Sequence, residues 1–288
     1  MIAMRIGGFL VSAVLALLLG VVAPAAPAAA AARVPKVVAT SAYVVDSTGT
    51  IHYGKRETRR MPVASLVKVM TAYVVLREAR LSDTVTITSS DISHAIRNGA
   101  ATAGLRKGER LTVRDLLYGL LLPSGADAAS ALARRYGPGK AAFVAKMNRT
   151  ARELGLTRTR YTNPDGLPTP GNGGYSTAAD QVRLAMWALD DDTFARVVET
   201  KVHKVARTKV HNPHTWRNLN KLLWQAGDVL GVKTGYTSAA GHCLLFAGER
   251  GGRQVVGALL HGGSESRFTT AERLLDYAGA QISADEGL

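Results

Sequence analysis

Two hydrophobic spacings alternate along this chain of 288 residues. The run Val37-Val38-Ala39-Thr40-Ser41-Ala42-Tyr43-Val44-Val45 is rich in β-branched side chains and predicts a strand. Asp46-Ser47-Thr48-Gly49 carries turn chemistry, and Ile51-His52-Tyr53 then begins a second strand, which makes a hairpin. From residue 65 the spacing changes to a helical period. It predicts helices over 65–79, 113–122, 126–136, 140–154 and 178–189. Between the last two lies 162–175, with Pro164, Pro168, Pro170 and several glycines. That segment reads as a long ordered loop, a frequent seat of function. Beyond Lys201 strands return over 229–234, 241–249 and 254–260, with Gly251-Gly252 as a hairpin turn. The pattern over 264–280 is an amphipathic helix with Leu274, Leu275 and Tyr277 on one side. Strands at both ends and helices between them predict one antiparallel sheet assembled from the two termini, with a helical insertion beside it. No internal repeat is visible.

The N-terminus follows a different rule. Arg5 precedes an apolar stretch over 6–22, and an Ala/Pro-rich segment over 23–32 follows. This is the layout of a cleaved secretory signal. Gly7, Gly8, Ser12 and Gly20 weaken the alternative of an anchor helix. The polar tail after the last helix predicts no C-terminal anchor. Residues 33–288 are expected to form a single domain, its sheet part about 34–64 and 201–288 and its helical part about 65–200. Hydrophobic residues make up 47%, which excludes a disordered chain. The net charge is +14, with denser basic patches at 55–60 and 201–209. No aromatic interleaving marks a nucleic-acid platform, so nucleic acid is not expected as a partner. For an exported protein, anionic wall polymers or a membrane surface are the partners this charge suits. The one cysteine, Cys243, sits in an apolar run and reads as a buried structural thiol.

Candidate chemistry begins with Ser65 and Lys68. On a helix, positions i and i+3 share a face. A serine hydroxyl needs a nearby group to take its proton, and a lysine kept neutral by its surroundings can do so. Pro62 suits a helix start, which puts Ser65 near free backbone N–H groups able to bind an oxyanion. Lys233-Thr234-Gly235 closes an apolar strand. A cation and a hydroxyl there suit a carboxylate, and the glycine admits close approach of a ligand backbone. Ser124, in the connector Pro123-Ser124-Gly125-Ala126-Asp127, is placed either to cap the next helix or to present a second hydroxyl to Ser65.

Ser65-x-x-Lys68, Ser124-Gly125-x and Lys233-Thr234-Gly235, in that order, resemble the three motifs of penicillin-binding proteins and class A β-lactamases. The surroundings sharpen the likeness to the low-molecular-mass, serine-type D-alanyl-D-alanine carboxypeptidases. They are Arg60-Met61-Pro62-Val63-Ala64-Ser65, Gly108-Glu109-Arg110-Leu111-Thr112-Val113-Arg114-Asp115-Leu116-Leu117, Thr162-Asn163-Pro164-Asp165-Gly166-Leu167 and Val232-Lys233-Thr234-Gly235-Tyr236-Thr237. The resemblance spans about 37–280. It implies an α/β (α+β) architecture of the β-lactamase/penicillin-binding-protein transpeptidase type, an antiparallel sheet from both chain ends flanked by helices, with an all-helical subdomain inserted. It implies a peptidase that trims peptidoglycan stem peptides ending in D-Ala-D-Ala through an acyl-enzyme, is inhibited by β-lactam antibiotics and needs no metal or other cofactor. By the same resemblance Ser65 is the nucleophile, Lys68 the general base and Ser124 a proton relay. Lys233 contributes positive potential, Thr234 binds the terminal carboxylate and Gly235 belongs to the same substrate-binding strand. The backbone N–H groups of Ser65 and Tyr236 form the oxyanion hole. One departure stands out: Ala126 holds the place of an asparagine. The missing amide hydrogen bonds correspond to roughly 1–3 kcal/mol, a slowed site rather than a dead one. Two alternatives follow, a class A-like β-lactamase and a wall-peptide-binding protein with weak turnover.

Other polar residues read as structural. His203, His211 and His214 cluster without a metal-ligand spacing. His94, His242 and His261 have no partner motif. Asp165 reads as turn chemistry, and Asn218 and Asn220 receive no catalytic role.

Overall fold

The computed structural model describes residues 33–168 and 174–287. The expected signal segment and Pro170 lie outside the described residues. In chain order the elements are β1 (Ser41–Asp46), β2 (Ile51–Lys55), a 3-10 turn (Ala64–Leu66), α1 (Val67–Leu76), β3 (Thr84–Thr86), α2 (Ser89–Arg97), β4 (Arg110–Thr112), α3 (Val113–Leu121), α4 (Ala126–Tyr136) and α5 (Lys140–Glu153). They continue with α6 (Ala178–Leu189), α7 (Asp192–Glu199), β5 (Val202–Val205), β6 (His214–Arg217), α8 (Leu222–Gln225), β7 (Val229–Thr237), β8 (Gly241–Arg250), β9 (Arg253–Gly262) and α9 (Ser266–Asp285).

The main sheet has the order β2-β1-β9-β8-β7 with antiparallel pairing throughout, so the two chain ends do build one sheet. Its central strands explain their own sequences. Cys243, Leu245 and Ala247 of β8 face one core, while Leu244 and Phe246 face another. In β9, Val256, Ala258 and Leu260 face the first core, and Val255 and Leu259 the second. A period-two strand covered on both faces must be apolar at every position, which is why these segments read as continuous runs. α9 covers the second face with Phe268, Leu274, Leu275 and Ile282, while α6 and α7 lie on the first and α1 and α3 to α5 extend the same core behind them. Each fully buried leucine or phenylalanine stabilises this packing by roughly 1.5–3 kcal/mol. Gly257 faces Phe246 across the β8–β9 pair, and any Cβ there would run into the phenyl ring.

Some elements differ from the sequence expectation. β5 and β6 pair with each other and not with the main sheet, and β3 and β4 form a second small ladder inside the helical region. α2 and α7 were not expected, because both are short and polar. Side-chain capping starts them: the Asp91 carboxylate accepts the Thr88 backbone N–H at 2.9 Å, and Asp191 accepts N–H groups of Thr193 and Phe194. His211 bonds the neighbouring Asn212 carbonyl, but the other two clustered histidines have partners remote in sequence. His203 bonds Asp115 at 3.0 Å and stacks on Tyr118, and His214 approaches Glu109 at 3.2 Å. No helix among the described residues is long and apolar enough to cross a membrane.

Candidate active site

The site begins where the chain leaves the sheet for α1. Met61 bridges to Ser176, and Ala64 has φ of +49°, a conformation rare outside glycine. That kink sets up the 3-10 turn holding Ser65, immediately before α1. The helix therefore starts two residues later than expected, yet Ser65 and Lys68 remain one turn apart. Lys68 Nζ lies 2.9 Å from Ser65 Oγ and donates to the Asp165 carbonyl at 2.7 Å. Lys68 is 2% exposed. Burial disfavours its charged form and brings its pKa down from 10.5 to about 8, although the Asp165 and Asp127 carboxylates pull the other way. A lysine so placed can supply a free amine near neutrality.

The second wall is β7, which lies at the edge of the sheet. Alternate backbone groups of an edge strand have no partner strand on their open side. Gly235 packs against the nucleophile turn: a Cβ there would meet Val63 O at 3.0 Å and Ser65 N at 3.2 Å. Thr234 and Tyr236 line the cleft, and Tyr236 stacks on His242 with ring centroids 4.4 Å apart. Lys233 is buried beneath them and donates to the Thr234 carbonyl at 2.9 Å. Burial, then the charges of Lys68 and Arg267, hold its pKa well below the ordinary lysine value.

The third wall is the connector between α3 and α4. Ser124 lines the cleft at φ of +65°. A non-glycine residue held there is strained, and such strain concentrates at functional sites. Ala126 is fully buried and donates its N–H to the Ala101 carbonyl at 2.8 Å, which ties the start of α4 to the cleft wall at 98–101. Asp127 reinforces this tie by accepting the N–H groups of Ala103 and Leu105.

The walls enclose a cleft of about 640 Å³, lined by Ser65, Lys68, Ser124, Thr234, Gly235 and Tyr236 among others. That volume suits a small peptide end. Thus the cleft gathers every predicted site residue, with Lys233 directly beneath its Thr234 wall. A smaller, largely apolar cavity of about 160 Å³ lies between the nucleophile turn and 161–168, without Ser65 or Lys68 in its lining.

Three residues take parts the sequence did not reveal. Arg267, in the first turn of α9, also lines the cleft, and its Nε and Nη1 are buried without a hydrogen-bond partner among the described residues. No local motif distinguishes it from the other arginines. His242 is a wall residue rather than a remote structural one. Asp165 does make the expected turn, its Oδ1 accepting the Leu167 N–H at 3.0 Å, but it also contacts the site. Its carbonyl holds Lys68, and its Oδ2 bonds His94, so His94 has a partner after all.

A nucleophilic hydroxyl, a buried amine, a second hydroxyl and a cationic strand edge together can run acyl transfer. The comparisons agree. The family model of the peptidase S11 D-alanyl-D-alanine carboxypeptidases matches residues 28–263. A D-alanyl-D-alanine carboxypeptidase of Streptomyces sp. strain K15 is 39% identical over 261 residues, covering 85% of this chain and 89% of that one. One from Mycobacterium tuberculosis is 35% identical, covering 86% and 84%. The crystal structure of the Streptomyces K15 DD-transpeptidase superimposes with a TM-score of 0.82 at 38% identity, covering 86% of this chain and 100% of the other. The chain belongs to the D-alanyl-D-alanine carboxypeptidase family of serine peptidases.

Proposed function

We propose that the protein cleaves the terminal peptide bond of D-Ala-D-Ala stem peptides by acylation of Ser65. The observation that carries this reading is the 2.9 Å approach of Ser65 Oγ to a buried Lys68 amine of lowered pKa. Neutral Lys68 takes the hydroxyl proton as Ser65 Oγ attacks the penultimate carbonyl carbon. The developing oxyanion is held by the N–H groups of Ser65 and Tyr236. Ser124 passes a proton to the departing amine of D-alanine, and the acyl group remains on Ser65. Thr234 hydrogen-bonds the substrate carboxylate, Gly235 lets the substrate backbone lie close, and Lys233 supplies positive potential. The Arg267 guanidinium, which lines the cleft, adds a second cation suited to the same carboxylate. Water or an amine then attacks the ester. The Streptomyces K15 relatives are a D-alanyl-D-alanine carboxypeptidase and a DD-transpeptidase, names that correspond to water and to an amine as the acceptor. A β-lactam mimics the same bond and leaves a persistent acyl-enzyme.

The test is incubation with a peptide ending in D-Ala-D-Ala, with and without penicillin. Free D-alanine and the mass of Ser65 adducts are followed together. The reading expects D-alanine release, its block by penicillin and loss of both signals in Ser65→Ala. Rapid penicillin hydrolysis would point to a β-lactamase instead. Peptide binding without product would point to a binding protein.

Two further statements belong to this reading. The substrate lies outside the cytoplasmic membrane, so residues 1–32 act as the export signal; N-terminal sequencing of exported protein checks this. Anionic wall polymers are the second partner, and the arginine-lined groove at Arg56, Arg59, Arg60 and Arg158 is the surface suited to them.

A further inference from the structure

Beside the catalytic serine and lysine lies a pair that the acylation scheme does not use. His94 is on α2, and Asp165 is in the turn after residue 162. His94 Nε2 and Asp165 Oδ2 are 2.5 Å apart. The Asp165 side chain is fully buried, and that of His94 is 21% exposed, so solvent reaches the pair only from the histidine side. Asp165 is held on every side. Its Oδ1 accepts the Leu167 N–H, its carbonyl accepts Lys68 Nζ, and the preceding Pro164 carbonyl accepts Thr71 Oγ1 at 2.6 Å. The next residue, Gly166 at φ of +80°, lies so close to the Ala64 carbonyl that no Cβ fits between them. Residues 164–166 are therefore pressed against the nucleophile turn and the start of α1. His94 anchors them on the opposite side. Its helix also runs on into Asn98, Gly99, Ala100 and Ala101, the far wall of the cleft. The His94–Asp165 contact thus joins that wall to the loop that holds the base.

We infer that His94 is a positioning residue for Lys68, acting through Asp165: it fixes the loop carbonyl that orients the amine, and it engages the carboxylate that would otherwise favour the ammonium form. This rests on the acylation reading above.

The surrounding charges leave this role to the pair. On α2, Asp91 is committed to Arg134 and to Ser130, both from α4. Arg97 lies farther along α2, and Lys140 at the start of α5 feels the Asp165 charge. Asp127 on α4 and Lys233 on β7 act on Lys68 from other sides. Burial would push the Asp165 carboxyl up, but the His94 hydrogen bond, the Lys68 charge and the Leu167 N–H outweigh it, so Asp165 is an anion when Lys68 must lose its proton.

The experiment compares wild type with His94→Ala, His94→Gln and Asp165→Asn. Two quantities are measured from about pH 6 to pH 10. One is the rate of Ser65 acylation by penicillin. The other is the titration of Lys68 by NMR of 13C-labelled lysine, assigned by its loss in Lys68→Met. Asp165→Asn removes an anion facing the amine, so the Lys68 midpoint should fall by about one unit. His94→Ala frees that anion and loosens the loop. The midpoint should rise, and acylation at neutral pH should slow by about tenfold. His94→Gln keeps a hydrogen-bond donor and should recover most of the rate. Opposite displacements of the midpoint in the aspartate and alanine variants support the inference. Unchanged midpoints, or a slowing in His94→Ala that glutamine does not relieve, overturn it. A wild type that titrates as expected but is never acylated would instead defeat the acylation reading, because the NMR titration does not depend on it.

Discussion

In the proposed acylation Lys68 is the base, and its burial has consequences that can be measured. A lysine moved from 10.5 to about 8 is mostly protonated at pH 7 and becomes a base as the pH rises. Acylation should climb by roughly tenfold per pH unit below 8 and level off above it. A stopped-flow penicillin assay across this range checks the rise and the plateau. The same shift governs stability. Between about pH 8 and 10.5 the unfolded chain binds a proton at Lys68 that the folded chain does not. The contribution of this group to folding therefore rises with pH across that window. At neutral pH the buried ammonium costs about 3 kcal/mol relative to an ordinary lysine. Lys68→Met should abolish acylation and raise the melting temperature at pH 7. That gain should shrink as pH approaches 10.5, as calorimetry on the two proteins can follow. A melting temperature below wild type at pH 7 would contradict this account of the burial.

At the level of elements, the site depends on how closely β7 lies against the 3-10 turn. Gly235 makes that approach possible, since a Cβ would press on Val63 O and Ser65 N. Gly235→Ala should move the strand by a few tenths of an ångström and misalign the oxyanion donors. Ser65 acylation should fall by about a hundredfold with little change in melting temperature, a combination that rate and melting measurements on one sample would reveal. This close packing also shows what the sequence could disclose. The central strands were legible because burial on both faces leaves an unbroken apolar run, as in Cys243-Leu244-Leu245-Phe246-Ala247. Ser65, Lys68, Ser124 and the Lys233–Tyr236 segment were legible because their chemistry is encoded in local spacing. The helix start at Val67 was displaced because Ala64 takes a left-handed conformation that no propensity foretells. α2 was illegible because it is short and polar on average, its apolar spacing rests on Ile92, Ala95 and Ile96 alone, and a capping contact, Asp91 to Thr88, starts it. Arg267 and His94 were illegible for another reason. Each reaches the site from an element far away in sequence, and a lone arginine or histidine carries no record of where the fold will take it.

At the scale of the whole molecule, part of the positive charge gathers in one open hollow. Arg56, Arg59, Arg60 and Arg158 line an open groove together with Thr58 and Thr157, and no carboxylate is among the lining residues. The groove is partly ordered: Arg158 reaches the Thr58 carbonyl at 3.5 Å, and the Arg60 guanidinium lies over the Tyr175 ring at 5.1 Å. None of its lining residues is shared with the catalytic cleft, so charge and catalysis can be separated by substitution. Exposed arginines facing a flexible phosphate polymer attract it through screened Coulomb forces. Such binding weakens steeply as the Debye length falls from about 10 Å at 0.1 M salt to about 3 Å at 1 M. The double variant Arg59→Glu, Arg158→Glu should bind a soluble phosphate-repeat wall polymer at least tenfold more weakly in low salt. It should still release D-alanine from a short stem peptide at the wild-type rate. If the groove holds the polymer, the same variant should be slower on intact cell walls, and the difference should vanish at 1 M salt. Equal polymer affinity for the two proteins at low salt would remove the groove from this role and return its arginines to ordinary solvated surface.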